Sequence, residues 1–166
     1  MTTTLPDAEG LLADLIAQMR PALTPETALV GIRTGGLWIA ERVHAALGLK
    51  TPCGALDVSF YRDDFDKIGL HREVKPTEIP FDVEGREVVV VDDVLYTGRT
   101  IRAAMNVLFD YGRPKSIRLA ALVDRGGREL PIAPQFLAAT VTLAAGESLE
   151  LTRDASGRLA LHVHKS

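Results

Sequence analysis

Apolar residues along this chain form short runs that suit buried strands and longer stripes that suit one face of a helix. The runs predict strands at residues 28–32, 55–61, 88–91, 119–123 and 140–143. The stripes predict helices that begin near Asp7, after Gly36 and after Thr100. Because strands and helices alternate along the chain, we expect an α/β fold with a mainly parallel central sheet flanked by helices.

The predicted helices have recognisable ends. Pro21 and Gly48 follow the first and second helices, and Gly112 follows the third. The third helix should turn these apolar residues toward the sheet: Ile101, Ala104, Met105, Leu108 and Phe109. Near the end of the chain, leucines alternate on both sides of a turn at residues 154–157, which predicts a C-terminal β-hairpin. With no repeat and no linker, residues 1–166 should form a single domain.

One long segment interrupts this regular pattern. Residues 62–80 are rich in charge and proline and show little apolar periodicity. A long loop in a compact domain is usually functional. We therefore predict a flexible loop that closes over a site as a lid when ligand binds.

The most informative stretch begins with four consecutive valines, Val88 to Val91. Such a run suits a strand covered on both faces, so the polar residues after it should lie at the carboxyl end of a parallel strand, where α/β proteins bind ligands. Asp92 and Asp93 come first. They would repel a phosphate, so their expected partner is a neutral diol, a developing cation or a metal ion. A ribose ring offers the first two.

The residues that follow have the chemistry of a phosphate site. Thr97 and Thr100 offer hydroxyl donors, Gly98 allows backbone N–H groups to turn inward, and Arg99 adds positive charge just before a helix. Strand, loop and helix together predict a ribose 5-phosphate site. A second glycine-bearing turn, at residues 33–36, also joins a strand to a helix, and it is either a simple tight turn or a pyrophosphate site.

Composition and charge narrow the class of protein. Hydrophobic content of 46% and charged content of 25% are typical of a folded globular domain. The single cysteine, Cys53, excludes an internal disulfide and suits a buried position in a reducing compartment. We see no signal segment and no membrane span, so the expected location is the cytoplasm. A net charge of −3 means that any RNA-binding surface must be local.

Residues 92–100, Asp-Asp-Val-Leu-Tyr-Thr-Gly-Arg-Thr, resemble the phosphoribosyl diphosphate signature of the type I phosphoribosyltransferases. Their wording is most similar to the pyrimidine-operon regulators that are also uracil phosphoribosyltransferases. Three further segments resemble that group: residues 57–64, 110–114 and 122–126. The resemblance runs from about residue 29 to residue 134.

The resemblance implies the type I phosphoribosyltransferase fold and transfer of phosphoribose from phosphoribosyl diphosphate to uracil, giving UMP and pyrophosphate. It implies Mg²⁺ as cofactor, held near Asp92 and Asp93 directly or through water, and catalytic roles for Asp92, Asp93 and Arg62. The substrate-binding residues are then expected to be Arg33, Thr34, Gly35, Gly36, Tyr61, Asp92, Asp93, Val94, Leu95, Tyr96, Thr97, Gly98, Arg99, Thr100, Val123, Asp124 and Arg125. Backbone groups around Val123 and Asp124, with Arg125 nearby, are the candidates for uracil recognition.

The resemblance also implies a UMP-responsive regulator that binds pyrimidine leader RNA, working as a homodimer or higher homo-oligomer. Arg113, Lys115 and Arg118 are the candidate RNA surface. Gly35 departs from the group, many members of which have arginine there, so one charged contact is missing. Two alternatives remain: an RNA-binding attenuation regulator with little enzyme activity, and a purine phosphoribosyltransferase.

Overall fold

The central feature is a five-stranded parallel sheet with the strand order β2-β1-β3-β4-β5. A computed structural model describes residues 4–58 and 77–165 of the chain. The sheet strands are β1 (Ala28–Ile32), β2 (Gly54–Leu56), β3 (Glu87–Leu95), β4 (Ser116–Asp124) and β5 (Phe136–Thr140). This confirms the predicted type I phosphoribosyltransferase architecture.

Helices cover both faces of the sheet. They are α1 (Ala8–Met19), which continues into a 3₁₀ turn (Arg20–Ala22), α2 (Gly35–Leu47) and α3 (Arg99–Tyr111). An antiparallel hairpin of β6 (Glu147–Arg153) and β7 (Leu159–Lys165) ends the described chain, as predicted.

Each face of the sheet has its own apolar core. On one face, α1, α2 and the hairpin pack with the sheet around residues such as Leu12, Ile39, Val89, Leu122 and Leu159. On the other face, α3 packs with strand residues such as Val30, Val90, Ala104, Leu108 and Leu119. Full burial of one such leucine or isoleucine contributes about 2 kcal/mol. The valine run of β3 is therefore buried from both sides, which explains why it is continuous rather than alternating.

Three details of the sequence prediction are corrected. A strand was expected at residues 140–143, but β5 ends at Thr140, and beyond it the Val141 N–H bonds to the Asp124 carbonyl. The predicted strand at 55–61 is limited, within its described part, to Gly54–Leu56. Phe109 was expected to face the sheet, yet it is 57% exposed because Leu108, one residue earlier, occupies the inward position.

A polar cluster centred on Glu9 ties the hairpin to the helices. The Arg42 guanidinium in α2 donates to both Glu9 carboxylate oxygens, at 3.2 and 2.7 Å. The backbone N–H of Leu159 donates to Glu9 Oε2 at 2.8 Å, and Arg42 also donates to the Gly157 carbonyl at 3.4 Å. One carboxylate therefore joins α1, α2 and β7.

Replacement of Glu9 by glutamine should lower stability in a pH-dependent way. The hydrogen bonds from Arg42, and then that from Leu159, hold the pKa of Glu9 below its ordinary value of 4.5. The carboxylate therefore stabilises the folded state above that pH, and the effect is lost as the pH falls through the folded-state pKa. We expect Glu9→Gln to lower the free energy of unfolding by about 1 kcal/mol at neutral pH, and by much less in acid, once the pH has fallen through the folded-state pKa of Glu9, measured by urea denaturation.

The matched control is Glu41→Gln, which changes an exposed glutamate of α2 and should leave stability unchanged. An equal loss for Glu9→Gln at both pH values would contradict the assigned role of the carboxylate.

Candidate functional site

Two loops meet where the direction of strand order reverses. The chain passes from β1 outward to β2 and then returns to form β3 on the other side of β1. Ligands of open α/β sheets bind outside the carboxyl ends of the strands at such a reversal. The turn at residues 33–36 follows β1 and the loop at residues 96–98 follows β3, so both lie at this point. The topology therefore selects these two loops as the candidate site.

Glycine allows the start of α2 to lie directly against β3. A Cβ atom at Gly36 would collide with the Val91 carbonyl oxygen and lie 3.0 Å from Asp92 Cα. At Gly31, a Cβ atom would collide with Leu37 Cα. These contacts are with backbone, which cannot rotate away as a side chain can. The sequence needs glycine at both positions for the two loops to approach each other.

Gly35 leaves the space that the Asp93 carboxylate occupies. A Cβ atom at Gly35 would collide with Asp93 Oδ2 and lie 2.9 Å from its Cγ. The arginine that the resemblance led us to expect at this position would therefore require the Asp93 side chain to move. Glycine at position 35 therefore does two things: it removes one positive charge, and it leaves room for the Asp93 carboxylate.

The two acidic residues lie inside β3 and not beyond its end, because the strand continues to Leu95. Asp92 is buried, and its Oδ1 accepts the Asp93 N–H at 2.9 Å. Asp93 is half-buried, and its Oδ1 accepts the Val94 N–H at 2.8 Å. These backbone bonds orient both carboxylates at the edge where the loops meet. Carboxylate oxygens are hard donors, suited to a hydroxyl group or a hard cation.

The loop between β3 and α3 is held from within and from outside. Thr97 is buried, its Oγ1 accepts the Arg99 N–H at 3.1 Å, and its carbonyl accepts the N–H groups of Glu129 and Leu130 at 2.9 and 3.1 Å. Gly98 has φ 95°, in the left-handed region that favours glycine. A Cβ atom there would lie 2.9 Å from Ile132 Cγ1. The loop thus has one fixed shape at the start of α3.

Arg99 and Thr100 open α3 at this loop. Arg99 Nε donates to Glu129 Oε1 at 2.7 Å, with both side chains about half exposed. An ion pair this exposed contributes little stability. Arg99 can therefore exchange this partner for a bound anion at low cost, while Thr100 is half-buried beside it.

Arg33 and Thr34 form the turn before α2. The Arg33 N–H donates to the Leu56 carbonyl at 2.8 Å, and Arg33 Nη2 lies 3.8 Å from Glu78 Oε1. The Arg33 side chain therefore reaches toward Glu78, which bridges to β2 at Ala55. The Arg33–Thr34 peptide bond is cis, and Thr34 is exposed.

A segment after β4 closes the other side of the loop, and sequence reasoning missed its main residue. Arg128 Nη2 donates to Asp124 Oδ2 at 2.6 Å and Arg128 Nη1 donates to Asp124 Oδ1 at 3.1 Å. Arg128 Nη1 also donates to the Tyr96 carbonyl at 2.7 Å, and Nε donates to the Ile132 carbonyl at 2.8 Å. The Arg128 hydrogen bond is the main reason that the pKa of Asp124 lies below its ordinary range. No periodicity marks Arg128, because it lies in an irregular segment.

Tyr96 rests on the same segment through its ring. The Arg125 guanidinium carbon lies 3.9 Å from the centre of the Tyr96 ring. The ring also lies against Gly127, where a Cβ atom would collide with Tyr96 Cε1. Arg125 Nη2 donates to the Glu147 carbonyl at 3.1 Å. Among the described residues, Arg125 Nε is the buried side-chain nitrogen without a hydrogen-bond partner.

Backbone groups near the end of β4 are already engaged. The Asp124 carbonyl accepts the Val141 N–H at 3.0 Å, and the Arg125 N–H donates to the Leu95 carbonyl at 3.0 Å. Val123 pairs with Val94 on one side and Ala139 on the other. Base recognition by backbone groups around Val123 and Asp124 remains a prediction. Because the Asp124 carbonyl and the Arg125 N–H already have protein partners, other groups in this segment would have to contact the base.

Two predicted site residues, Tyr61 and Arg62, lie outside the described residues, as does most of the proposed lid at residues 62–80. Among the others, the structure brings Gly35 and Gly36 against Asp92 and Asp93. It places Tyr96 to Thr100 next to this pair along the chain.

The candidate RNA residues differ in their surroundings. Lys115 lines a cavity of about 310 Å³ together with Arg86 and four acidic residues, Glu26, Asp82, Glu84 and Glu87. Arg118 donates to the Ala22 carbonyl at 3.3 Å and lies 5.5 Å from the centre of the Phe136 ring. Arg113 and Lys115 are exposed, and Arg118 is half-buried.

Two further expectations can be compared with the structure. Burial raises the pKa of Cys53 to about 11, so the residue is a thiol at neutral pH, in line with a packing role. No helix in the described part of the chain has the length and apolarity needed to cross a membrane.

Comparison with known proteins gives consistent matches. The family described as phosphoribosyl transferase domain matches residues 3–138. The bifunctional protein PyrR of Pseudomonas entomophila is 52% identical over 153 residues, covering 90% of this chain and 89% of that protein. The bifunctional protein PyrR of Pseudomonas putida is 55% identical over 149 residues, covering 84% and 86%. A purine phosphoribosyltransferase structure from Pyrococcus horikoshii Ot3 aligns with a TM-score of 0.61 and 26% identity, covering 80% of this chain and 81% of that one.

These matches confirm the resemblance carried by residues 92–100, and they agree with the strand order and with the loops that meet at its reversal. The chain belongs to the phosphoribosyltransferase family, within the group of bifunctional PyrR proteins.

Proposed function

We propose that this protein is a uracil phosphoribosyltransferase, converting uracil and phosphoribosyl diphosphate to UMP and pyrophosphate. The observation that carries the proposal is the contact of Gly35 and Gly36 with the Asp92–Asp93 pair at the strand-order reversal. This contact brings together the turn that we assign to pyrophosphate and the acidic pair that we assign to the ribose, and the loop that we assign to the 5-phosphate follows directly. Relatives about half identical over most of the chain carry the PyrR name, which supports uracil over a purine as the base.

The acidic pair serves the step in which charge changes most. As pyrophosphate leaves, the ribose becomes oxocarbenium-like, and a uracil ring nitrogen forms the new bond to the anomeric carbon. Asp92 and Asp93 accept hydrogen bonds from the ribose 2- and 3-hydroxyls and place negative charge near the developing cation. Mg²⁺ bound with phosphoribosyl diphosphate would offset the charge of the leaving group, and the Asp pair offers hard oxygen ligands to hold it directly or through water.

The remaining roles follow the positions of the loops. Residues 97–100 bind the 5-phosphate, with Arg99 exchanging Glu129 for the phosphate. Arg33, Thr34, Gly35 and Gly36 bind pyrophosphate. Tyr61 and Arg62, with the segment to residue 80, close over the bound substrates and exclude water. Arg125 and Tyr96, which pack on each other beside the end of β4, are the residues that we assign to the uracil base.

A second role, as a regulator that binds pyrimidine leader RNA in response to UMP, is favoured by the word bifunctional in the names of the relatives. The protein would act in the cytoplasm as a homodimer or higher homo-oligomer. The symmetry of such an assembly would repeat each local basic patch and so offer RNA a larger basic surface. Of the three candidate RNA residues, Arg113 and Lys115 are exposed, whereas Arg118 is half-buried and donates to the Ala22 carbonyl.

A base panel tests the enzymatic proposal. With phosphoribosyl diphosphate and Mg²⁺, we expect pyrophosphate release with uracil and little with hypoxanthine, guanine, adenine or xanthine. The wild-type protein without base is the control for hydrolysis. Turnover of a purine in preference to uracil would overturn the assignment.

Replacing the acidic pair should separate chemistry from binding. Asparagine keeps an oxygen that can accept the backbone N–H groups but removes the charge. We expect Asp92→Asn with Asp93→Asn to lower kcat by about 10²-fold or more, while the affinity for ribose 5-phosphate changes only a few-fold. The control is Asp82→Asn, which changes a carboxylate at the opposite end of the strands and should leave kcat and the affinity for ribose 5-phosphate unchanged. Equal losses in kcat and in ribose 5-phosphate affinity would assign the pair to binding alone.

RNA binding should depend on salt and on UMP. If the regulatory role is present, affinity for a pyrimidine leader RNA should fall steeply with rising salt and rise when UMP is added. Filter binding or fluorescence anisotropy measures both effects, with a scrambled RNA as control. No binding at low ionic strength, with uracil turnover intact, would leave the protein as an enzyme only.

A further inference from the structure

We propose that Arg128 is a positioning residue that fixes the base side of the site relative to its phosphate side. The inference rests on the proposed function, because it assigns residues 97–100 to the phosphate and residues 124–127 to the base. Arg128 would not touch the substrate. It would set the distance and the angle between the two loops that do.

The hydrogen bonds of Arg128 connect three segments. The guanidinium forms a two-point pair with the Asp124 carboxylate at the end of β4, at 2.6 and 3.1 Å. It also binds the carbonyls of Tyr96, at the start of the phosphate loop, and Ile132, at 2.7 and 2.8 Å. The side chains of Arg128 and Asp124 are only 25% and 15% exposed, so water weakens this pair less than a surface pair.

The phosphate loop keeps its own shape without Arg128. The Thr97 carbonyl accepts two backbone N–H groups from Glu129 and Leu130, and Thr97 Oγ1 accepts the Arg99 N–H. The left-handed Gly98 lies against Ile132. Loss of the Arg128 side chain therefore removes the links to Asp124, Tyr96 and Ile132, while the contacts of Thr97 and Gly98 do not involve that side chain.

The base side depends on Arg128 more strongly. In the described part of the chain, the Asp124 carboxylate accepts two hydrogen bonds from Arg128 and one from the Gly126 N–H, at 2.9 Å. Without the guanidinium, only the bond from Gly126 remains. Arg125 and Gly127 follow Asp124 directly and hold the Tyr96 ring. A change at Asp124 is therefore passed to the residues proposed to face uracil.

A ligand that contacts both loops benefits from their fixed separation, because no binding energy is used to order them. A ligand without a base does not reach residues 124–127 and gains nothing from it. UMP is of the first kind, and ribose 5-phosphate, which contacts the phosphate loop and the acidic pair, is of the second. Arg128 should therefore matter for UMP and much less for ribose 5-phosphate.

The experiment compares Arg128→Met with wild type by calorimetric titration with UMP and with ribose 5-phosphate. We expect the Kd for UMP to rise about tenfold or more, and the Kd for ribose 5-phosphate to change by less than about threefold. In turnover, the KM for uracil should rise more than kcat falls.

Two controls separate positioning from stability. Arg42→Met removes an arginine that also makes a two-point pair with a carboxylate, that of Glu9, and a bond to one carbonyl, that of Gly157, but this arginine joins α1, α2 and the hairpin. It should lower the melting temperature and leave both Kd values unchanged. Arg128→Lys keeps the positive charge but lacks the planar guanidinium that pairs with both Asp124 oxygens. It should therefore be more stable than Arg128→Met without regaining the wild-type affinity for UMP.

The outcomes distinguish the inference from the function on which it rests. A wild-type protein that binds UMP no more tightly than ribose 5-phosphate, or does not use uracil, contradicts the proposed function. A wild type that makes UMP, with an Arg128→Met variant that keeps UMP affinity or loses both ligands equally, overturns the role of Arg128. If Arg128→Met does not fold, Asp124→Asn weakens the same link, and the same selective loss of UMP affinity is expected or the inference fails.

Discussion

The site depends on the close approach of the start of α2 to β3. Gly36 lies against the Val91 carbonyl, where any side chain would collide with backbone. Because of this contact, the turn after β1 and the loop after β3 lie side by side at the strand-order reversal. The buried valines of β3 hold the strand from both sides, so the acidic residues that follow have a rigid support.

The distribution of charge around the proposed site suits a phosphoribosyl transfer. The acidic pair lies against Gly35, and the loop at residues 96–98 with Arg99 follows it along the chain. This order offers negative charge where the ribose is proposed to bind and positive charge where the 5-phosphate is proposed to bind. On the β4 side, Arg128 joins this loop to Asp124.

Much of this arrangement could be predicted from the sequence, because it depends on local signals. The valine run predicted β3, and the residues from Thr97 to Thr100 predicted the turn and the helix start that follow it, whereas the site assigned to them stays a prediction. Arg128 could not be predicted, since its partners at Tyr96 and Ile132 come together only in the folded chain. Phe109 was wrongly expected to face the sheet for a different reason. The spacing of apolar residues along a helix locates the buried face only to within about one residue, and here Leu108 is buried while Phe109 is exposed.

The most direct test of the central claim is a crystal structure of the protein with UMP. The account predicts the phosphate at the backbone N–H groups of residues 98–100, the ribose hydroxyls at Asp92 and Asp93, and the uracil ring beside Arg125. A phosphate bound elsewhere, for example in the cavity of about 310 Å³ lined by Arg86 and Lys115 at the opposite edge of the sheet, would contradict it.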